Sequence, residues 1–92
     1  MYLEIVSPEA TLFAGEVTAV TLPGVDGEFQ MLNNHAPIVS ILQAGNVKIK
    51  GNVELDGAHE EKFSKASNGD TVLAISSGTV EMKNNKVIVL AD

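Results

Sequence analysis

Short Val-, Ile- and Thr-rich runs broken by Gly, Pro, Asn and Asp recur along the chain. This pattern predicts antiparallel β-strands, whose successive side chains point to opposite faces, and no helical period persists. The runs Tyr2 to Ser7 and Thr11 to Ala14 are stopped by Pro8 and Gly15. In the run Glu16 to Leu22, Thr18, Val20 and Leu22 share one face, while Val17, Ala19 and Thr21 share the other. Neither face is strongly polar, which predicts cover on both sides and therefore two layers. Pro23-Gly24-Val25-Asp26-Gly27 reads as a hairpin turn with Glu28 to Leu32 returning, because Pro fixes φ and the glycines open conformations closed to other residues. Asn33-Asn34-His35-Ala36-Pro37 then reads as an ordered loop, followed by strands Ile38 to Leu42 and Asn46 to Lys50.

Between Gly51 and Gly69 the pattern weakens. Brief alternation around Val53 and Leu55 predicts a hairpin with mobile tips, while the charged cluster His59 to Lys65 also fits a helical turn. The pattern recovers in Thr71 to Ser76 and Thr79 to Lys83, on either side of Ser77-Gly78. Asn84-Asn85 suits the positive φ of a two-residue hairpin turn before Lys86 to Ala91. There Val87 and Val89 alternate with Ile88 and Leu90, so the last strand is apolar on both faces and is expected to be central or covered. The expected fold is all-β, with no internal repeat.

Ninety-two residues make one domain, 1–92, with one modest core. Aromatic residues are only 4% of the chain, so that core must come from Val, Ile, Leu and Ala, which favours thin sheets packed face to face. Twelve carboxylates against six lysines give a net charge of −6, which argues against a nucleic-acid partner and against binding anionic lipid. Absence of cysteine removes disulfides, thiolate nucleophiles and Cys-ligated metals. Met1 to Ser7 lacks the basic start and long apolar stretch of an export signal, and no run reaches the roughly 18 apolar residues of a membrane span. The expectation is a soluble, unexported chain without direct membrane insertion.

Candidate chemistry is sparse. The two histidines, His35 and His59, lie in no metal-spaced cluster, and His59 beside Glu60 and Glu61 reads as a solvated loop. For His35 two roles fit: an imidazole bonded to a loop carbonyl, or a contact to a partner. Asp26 and Glu28 could serve as a general acid and base, yet no second base or pocket-forming aromatic accompanies them, which favours solvated turn charges. Ser76 and Ser77 precede Gly78 without a G-x-S-x-G elbow, and no phosphate-binding glycine loop occurs. Phe13 and Phe29 fit the core better than a role as exposed anchors. No catalytic residue, metal or cofactor is expected; the surface between Leu22 and Pro37 is expected to grip other proteins.

Five segments in order carry a resemblance: V-S-P-E (Val6 to Glu9), L-F-x-G-E-V (Leu12 to Val17), T-L-P-G-x-x-G-E-F (Thr21 to Phe29), H-A-P (His35 to Pro37) and N-K-V-x-V-L-A-D (Asn85 to Asp92). Together they resemble the epsilon subunits of bacterial F-type ATP synthases and the mitochondrial counterpart called delta. The resemblance implies a flattened antiparallel β-sandwich of about ten strands that packs on the gamma subunit and stands on the c ring of the rotor. It implies c-ring contact by Asp26, Gly27, Glu28 and Phe29, and gamma contact by His35 and Ser40. It implies a non-catalytic central-stalk subunit that couples proton flow to ATP synthesis, peripheral on the cytoplasmic face of the bacterial inner membrane within the F1 sector.

Three departures stand out. Asn33-Asn34 replaces the family's usual Pro-Gly before His-Ala-Pro, and Gly51 to Asp70 is longer than the usual connection. Family members also continue past V-L-A-D into two helices, so the expectation is a short form, natural or trimmed, without helix-based inhibition or nucleotide binding. The rival reading is a small-ligand-binding β-sandwich with a pocket near Asp26, Glu28 and His35; a weaker one is a metal-dependent jelly-roll enzyme.

Overall fold

A computed structural model describes residues 1–55 and 57–92. Among the described residues the strands are β1 Tyr2–Val6, β2 Thr11–Glu16, β3 Ala19–Gly24, β4 Gly27–Leu32, β5 Ile38–Leu42, β6 Gly45–Lys50, β7 Phe63–Lys65, β8 Thr71–Ile75, β9 Gly78–Lys83 and β10 Lys86–Ala91. The period-two pattern becomes alternation of burial: in β9, Val80 and Met82 point inward between exposed Thr79, Glu81 and Lys83.

Hydrogen bonds link the strands in the order β2-β1-β10-β9-β5-β3-β6-β8-β7, and β4 takes the other edge of β3. The link between β5 and β3 is a single bridge, Gly24 opposite Leu42. Around it the curled sheet falls into two halves of five strands, β2-β1-β10-β9-β5 and β4-β3-β6-β8-β7. One core cluster joins them, with Leu3, Ile5, Val80, Met82, Val87 and Val89 from the first half and Val20, Leu22, Met31, Val47, Ile49 and Leu73 from the second. The sheet folded over itself is the two-layered β-sandwich that the covered faces of β3 demand. One pair departs from the antiparallel expectation: β1 runs parallel to β10, Tyr2 opposite Lys86 through Val6 opposite Leu90. A parallel pair needs a long crossover, and here nearly the whole chain supplies it.

The corner between the halves explains the residues there. Pro23 and Gly24 belong to β3 rather than to the turn, which shrinks to Val25-Asp26 between the paired Gly24 and Gly27. The Pro23 carbonyl accepts a hydrogen bond from the Gln43 N–H at 2.9 Å. Gly45 crosses so close to the Pro23 ring that an added Cβ would lie 2.7 Å from the Pro23 Cβ.

Within residues 51–65 the hairpin expected around Val53 and Leu55 does not form among the described residues, where no strand precedes Phe63, while the helical turn expected within His59 to Lys65 holds in part. Glu60–Lys62 form one turn of 3₁₀ helix, and β7 then pairs with β8, Phe63 opposite Leu73. Val53, Leu55 and Phe63 pack half-buried against the core, which gives this long connection its anchor. Asp56, within the same stretch, lies outside the described residues.

Replacing Gly45 by Ala forces a methyl group onto a ring that cannot rotate away, and is expected to cost about 1–3 kcal/mol in urea denaturation. Gly57→Ala, where an added methyl meets nothing within 4 Å, is expected to stay within about 1 kcal/mol of wild type. Equal stabilities for the two variants would remove the corner's steric role.

Candidate functional site

Strand β4 places the two groups of expected contact residues at opposite ends. Asp26 ends the turn before it and Gly27, Glu28 and Phe29 are its first residues, whereas His35 lies in the loop beyond its end. Six extended residues span about 20 Å, too far for Asp26 and His35 to line one small-molecule pocket, which argues against the ligand-binding reading.

At the turn end, Asp26 is exposed and Gly27 has φ 119°, a left-handed conformation that glycine adopts without strain. The Glu28 carboxylate is engaged inside the chain, its Oε2 lying 2.9 Å from Lys48 Nζ on β6. Both side chains are partly exposed, so the pair contributes only about 0–1 kcal/mol to stability. Phe29 is half-buried, packs against the core and closes over Gly24, whose added Cβ would meet its ring at 2.8 Å. Phe13 is buried, as its place in the strand pattern requires. Asp26 is therefore the free charge of this end, and Glu28 is a charge already oriented.

At the other end the Asn pair turns the chain through φ 62° at Asn34, the conformation that Pro-Gly reaches by glycine. The Asn34 N–H donates to Asn85 Oδ1 at 2.7 Å, and Asn85 Nδ2 donates to Asn33 Oδ1 at 3.0 Å. Asn33 Oδ1 also accepts from the Met1 ammonium at 2.8 Å. His35 donates its N–H to the Leu32 carbonyl, and its Nδ1 lies 2.7 Å from the Ala36 carbonyl. A carbonyl only accepts, so Nδ1 is the donor in this contact. His35 is exposed, so the loop-carbonyl bond coexists with an accessible ring.

Ser40 is half-buried opposite Val80, whose side chain is in the core. Its neighbours Val39 and Ile41 face outward instead, 76% and 65% exposed. The ladder sets Ile41, Thr79 and Leu90 in one row and Val39, Glu81 and Ile88 in the next. Val6 and Glu4 of β1 extend the two rows. The outcome is a partly apolar strip across the outside of β5, β9, β10 and β1: Val39 and Ile41 lie on one side of the polar β9 positions Thr79 and Glu81, Ile88 and the 52% exposed Leu90 on the other, with Glu4 ending one row and Lys83 and Lys86 nearby. The final strand is central, as expected, yet this chain leaves its outer face open. The sequence carried a signal for the strip: both β5 and β10 are apolar on both faces.

Among the described residues no group of three or more His, Cys, Asp or Glu is gathered to hold a metal ion, and no helix is long and apolar enough to cross a membrane.

The chain matches, over residues 1–92, the family described as ATP synthase, Delta/Epsilon chain, beta-sandwich domain. It is 40% identical over 92 residues to the ATP synthase epsilon chain of Campylobacter fetus subsp. fetus, covering 100% of this chain and 60% of that one. It is 36% identical over 90 residues to the epsilon chain of Chlorobium limicola, covering 98% of this chain and 86% of that one. Its fold is similar to a chain in the central stalk and c ring of the Tetrahymena thermophila mitochondrial ATP synthase, with a TM-score of 0.73 at 16% identity over 99% of this chain and 62% of that one. A chain of the Euglena gracilis mitochondrial enzyme gives 0.72 at 18% identity over 97% and 48%. The chain thus spans about 60% of the length of several of its curated relatives.

Ser76 and Ser77 also have a visible role. Asp92 Oδ1 accepts from the Ser76 hydroxyl at 2.8 Å and from the Ser77 N–H at 3.0 Å. Hydrogen bonds from Ser77, then Ser76, hold the Asp92 carboxyl below the usual carboxylate range. A carboxyl whose pKa is depressed by folding adds stability above its unfolded pKa and loses it as pH falls through the folded value. Asp92→Asn is therefore expected to flatten the decline of the urea midpoint between about pH 4 and pH 2. Identical slopes in the two proteins would dismiss this contribution.

Proposed function

The chain belongs to the ATP synthase delta/epsilon family across residues 1–92, and we propose that it is a non-catalytic central-stalk subunit joining the gamma subunit to the c ring. The observation that carries this reading is the open apolar strip on β5 and β10. Side chains such as Ile41 and Leu90 each gain about 1.5–3 kcal/mol when fully buried, so a partner that covers the strip draws its affinity from them. Gamma is the partner assigned to this face, with the His35 loop and Ser40 at its margin.

The c ring is assigned to the turn end, Asp26 to Phe29. Ile41 adjoins Leu42, which is bridged to Gly24, so the strip runs up to the base of that turn. Adjoining surfaces suit a body wedged between two rotor parts. Charges such as Asp26 and Glu28 would orient docking more than they add affinity, because exposed charges are screened at physiological salt. Proton flow and ATP chemistry are then the work of other subunits, and this chain passes torque between them. In a bacterial cell its place is peripheral, on the cytoplasmic face of the inner membrane within the F1 sector.

Ile41→Asp alters a side chain outside the core and is expected to leave unfolding within about 1 kcal/mol of wild type while weakening gamma binding more than about tenfold. Unchanged gamma affinity would overturn the assignment of the strip. Glu28→Lys is expected to loosen attachment to the c ring, and adding Lys48→Glu restores the internal ion pair without restoring attachment. Co-purification of both variants with the membrane-embedded rotor at wild-type levels would count against the turn-end contact.

A further inference from the structure

Among the described residues the strand ladders of the two halves meet only at the Gly24–Leu42 corner, and a second fastening lies at the far end of β4. It is made by one side chain. Asn85, second in the β9–β10 turn with φ 61°, accepts from the Asn34 N–H at 2.7 Å and donates to Asn33 Oδ1 at 3.0 Å. The orientation of both amides follows from their partners: the Asn34 N–H and the Met1 ammonium can only donate, so each faces an amide oxygen. The clamp bridges 51 and 52 residues of sequence and ties a loop of the second half to a hairpin of the first.

Residues 33–37 are all exposed, so burial does not fix their conformation. What holds them is the His35–Leu32 backbone bond, the ammonium contact and the two bonds from Asn85. The loop delivers the chain into Val39 and Ile41, so its conformation sets how the start of the apolar strip is presented. A loop ordered before binding spares the complex the entropy of ordering it.

We propose that Asn85 is a positioning residue for partner docking: its paired hydrogen bonds to Asn33 and Asn34 preset the 33–37 loop for the gamma subunit. This rests on the function proposed above. The Asn33-Asn34 pair is then half of a device whose other half is on a different hairpin. Here stiffness is supplied across the sandwich.

The test uses the full chain with Asn85→Gly, which keeps the positive φ at no steric cost and deletes both side-chain bonds. Asn84→Gly, φ 54° in the same turn and outside the clamp, is the control. In Asn85→Gly, hydrogen exchange at the Asn34 amide is expected to quicken about tenfold or more, while the core amides of Val80 and Val89 change less than about fivefold. Affinity for the purified gamma subunit is expected to fall about tenfold, mainly through slower association, with Asn84→Gly within about twofold of wild type. Loss of Asn34 protection with gamma binding equal to that of Asn84→Gly would overturn the docking role and leave the functional reading standing. Unchanged Asn34 protection would overturn the clamp itself. A wild-type chain that fails to bind gamma would overturn the function proposed above and the docking role with it.

Discussion

Two glycines, one proline and one backbone bridge decide how this sheet becomes a sandwich. Gly24 pairs with Leu42, the Pro23 carbonyl takes the Gln43 N–H, and Gly45 passes the Pro23 ring at a distance that admits no side chain. A longer ladder between β3 and β5 would hold the sheet open and leave the inner faces of both halves in water. A single bridge lets the sheet bend sharply, so Val20, Leu22 and Met31 meet the cluster that includes Val80, Met82 and Val89. Proline suits the site because it has no N–H to leave unpaired where the ladder breaks.

That arrangement also dictates what stays outside. Each strand has two faces, and the core takes one. A chain of 92 residues cannot wrap a second layer around its own outer faces. On β6 the outer positions are Asn46, Lys48 and Lys50, which tolerate water. On β5 they are Val39 and Ile41, and on β10 Ile88 and Leu90, which gain nothing from it. Strand β5 also has β3 beside it at only one residue, and its outward positions carry none of the charges that discourage edge pairing. An uncharged strand beside an apolar face fits a surface that is covered in an assembly.

Local features of this fold are legible in the sequence, and non-local ones are not. Alternation in Thr79 to Lys83 fixes a strand and its inward face because it is written residue by residue, whereas Lys86 to Ala91 is apolar on both faces and reveals a strand without revealing which face turns inward. The Asn84-Asn85 turn is legible because positive φ selects for Asn. Pro23-Gly24 is misplaced by two residues, since the composition of a tight turn and that of a corner are the same; only the crossing of Leu42 to Gly45 distinguishes them. The β1–β10 pairing joins the two ends of the chain and has no local signature. For the contact residues, Asp26 is legible as a turn charge, but the engagement of Glu28 by Lys48 is hidden in the order of β4, β3 and β6. Ser40 was singled out through family resemblance, whereas the outward positions are its neighbours, a distinction that depends on which face the register turns to the core.

The stiffness of a sandwich depends on how its halves are joined. Hydrogen-bonded ladders stiffen each half along its own strands, but across the corner they supply one bridge. Resistance to sliding therefore comes from close-packed side chains, where any displacement costs many small contacts at once. The core does this along the length of the sandwich, with the corner at one end and the Asn33–Asn85 contact at the other. The Asn33-Asn34 turn takes part of its order from outside the loop, through bonds that join the halves.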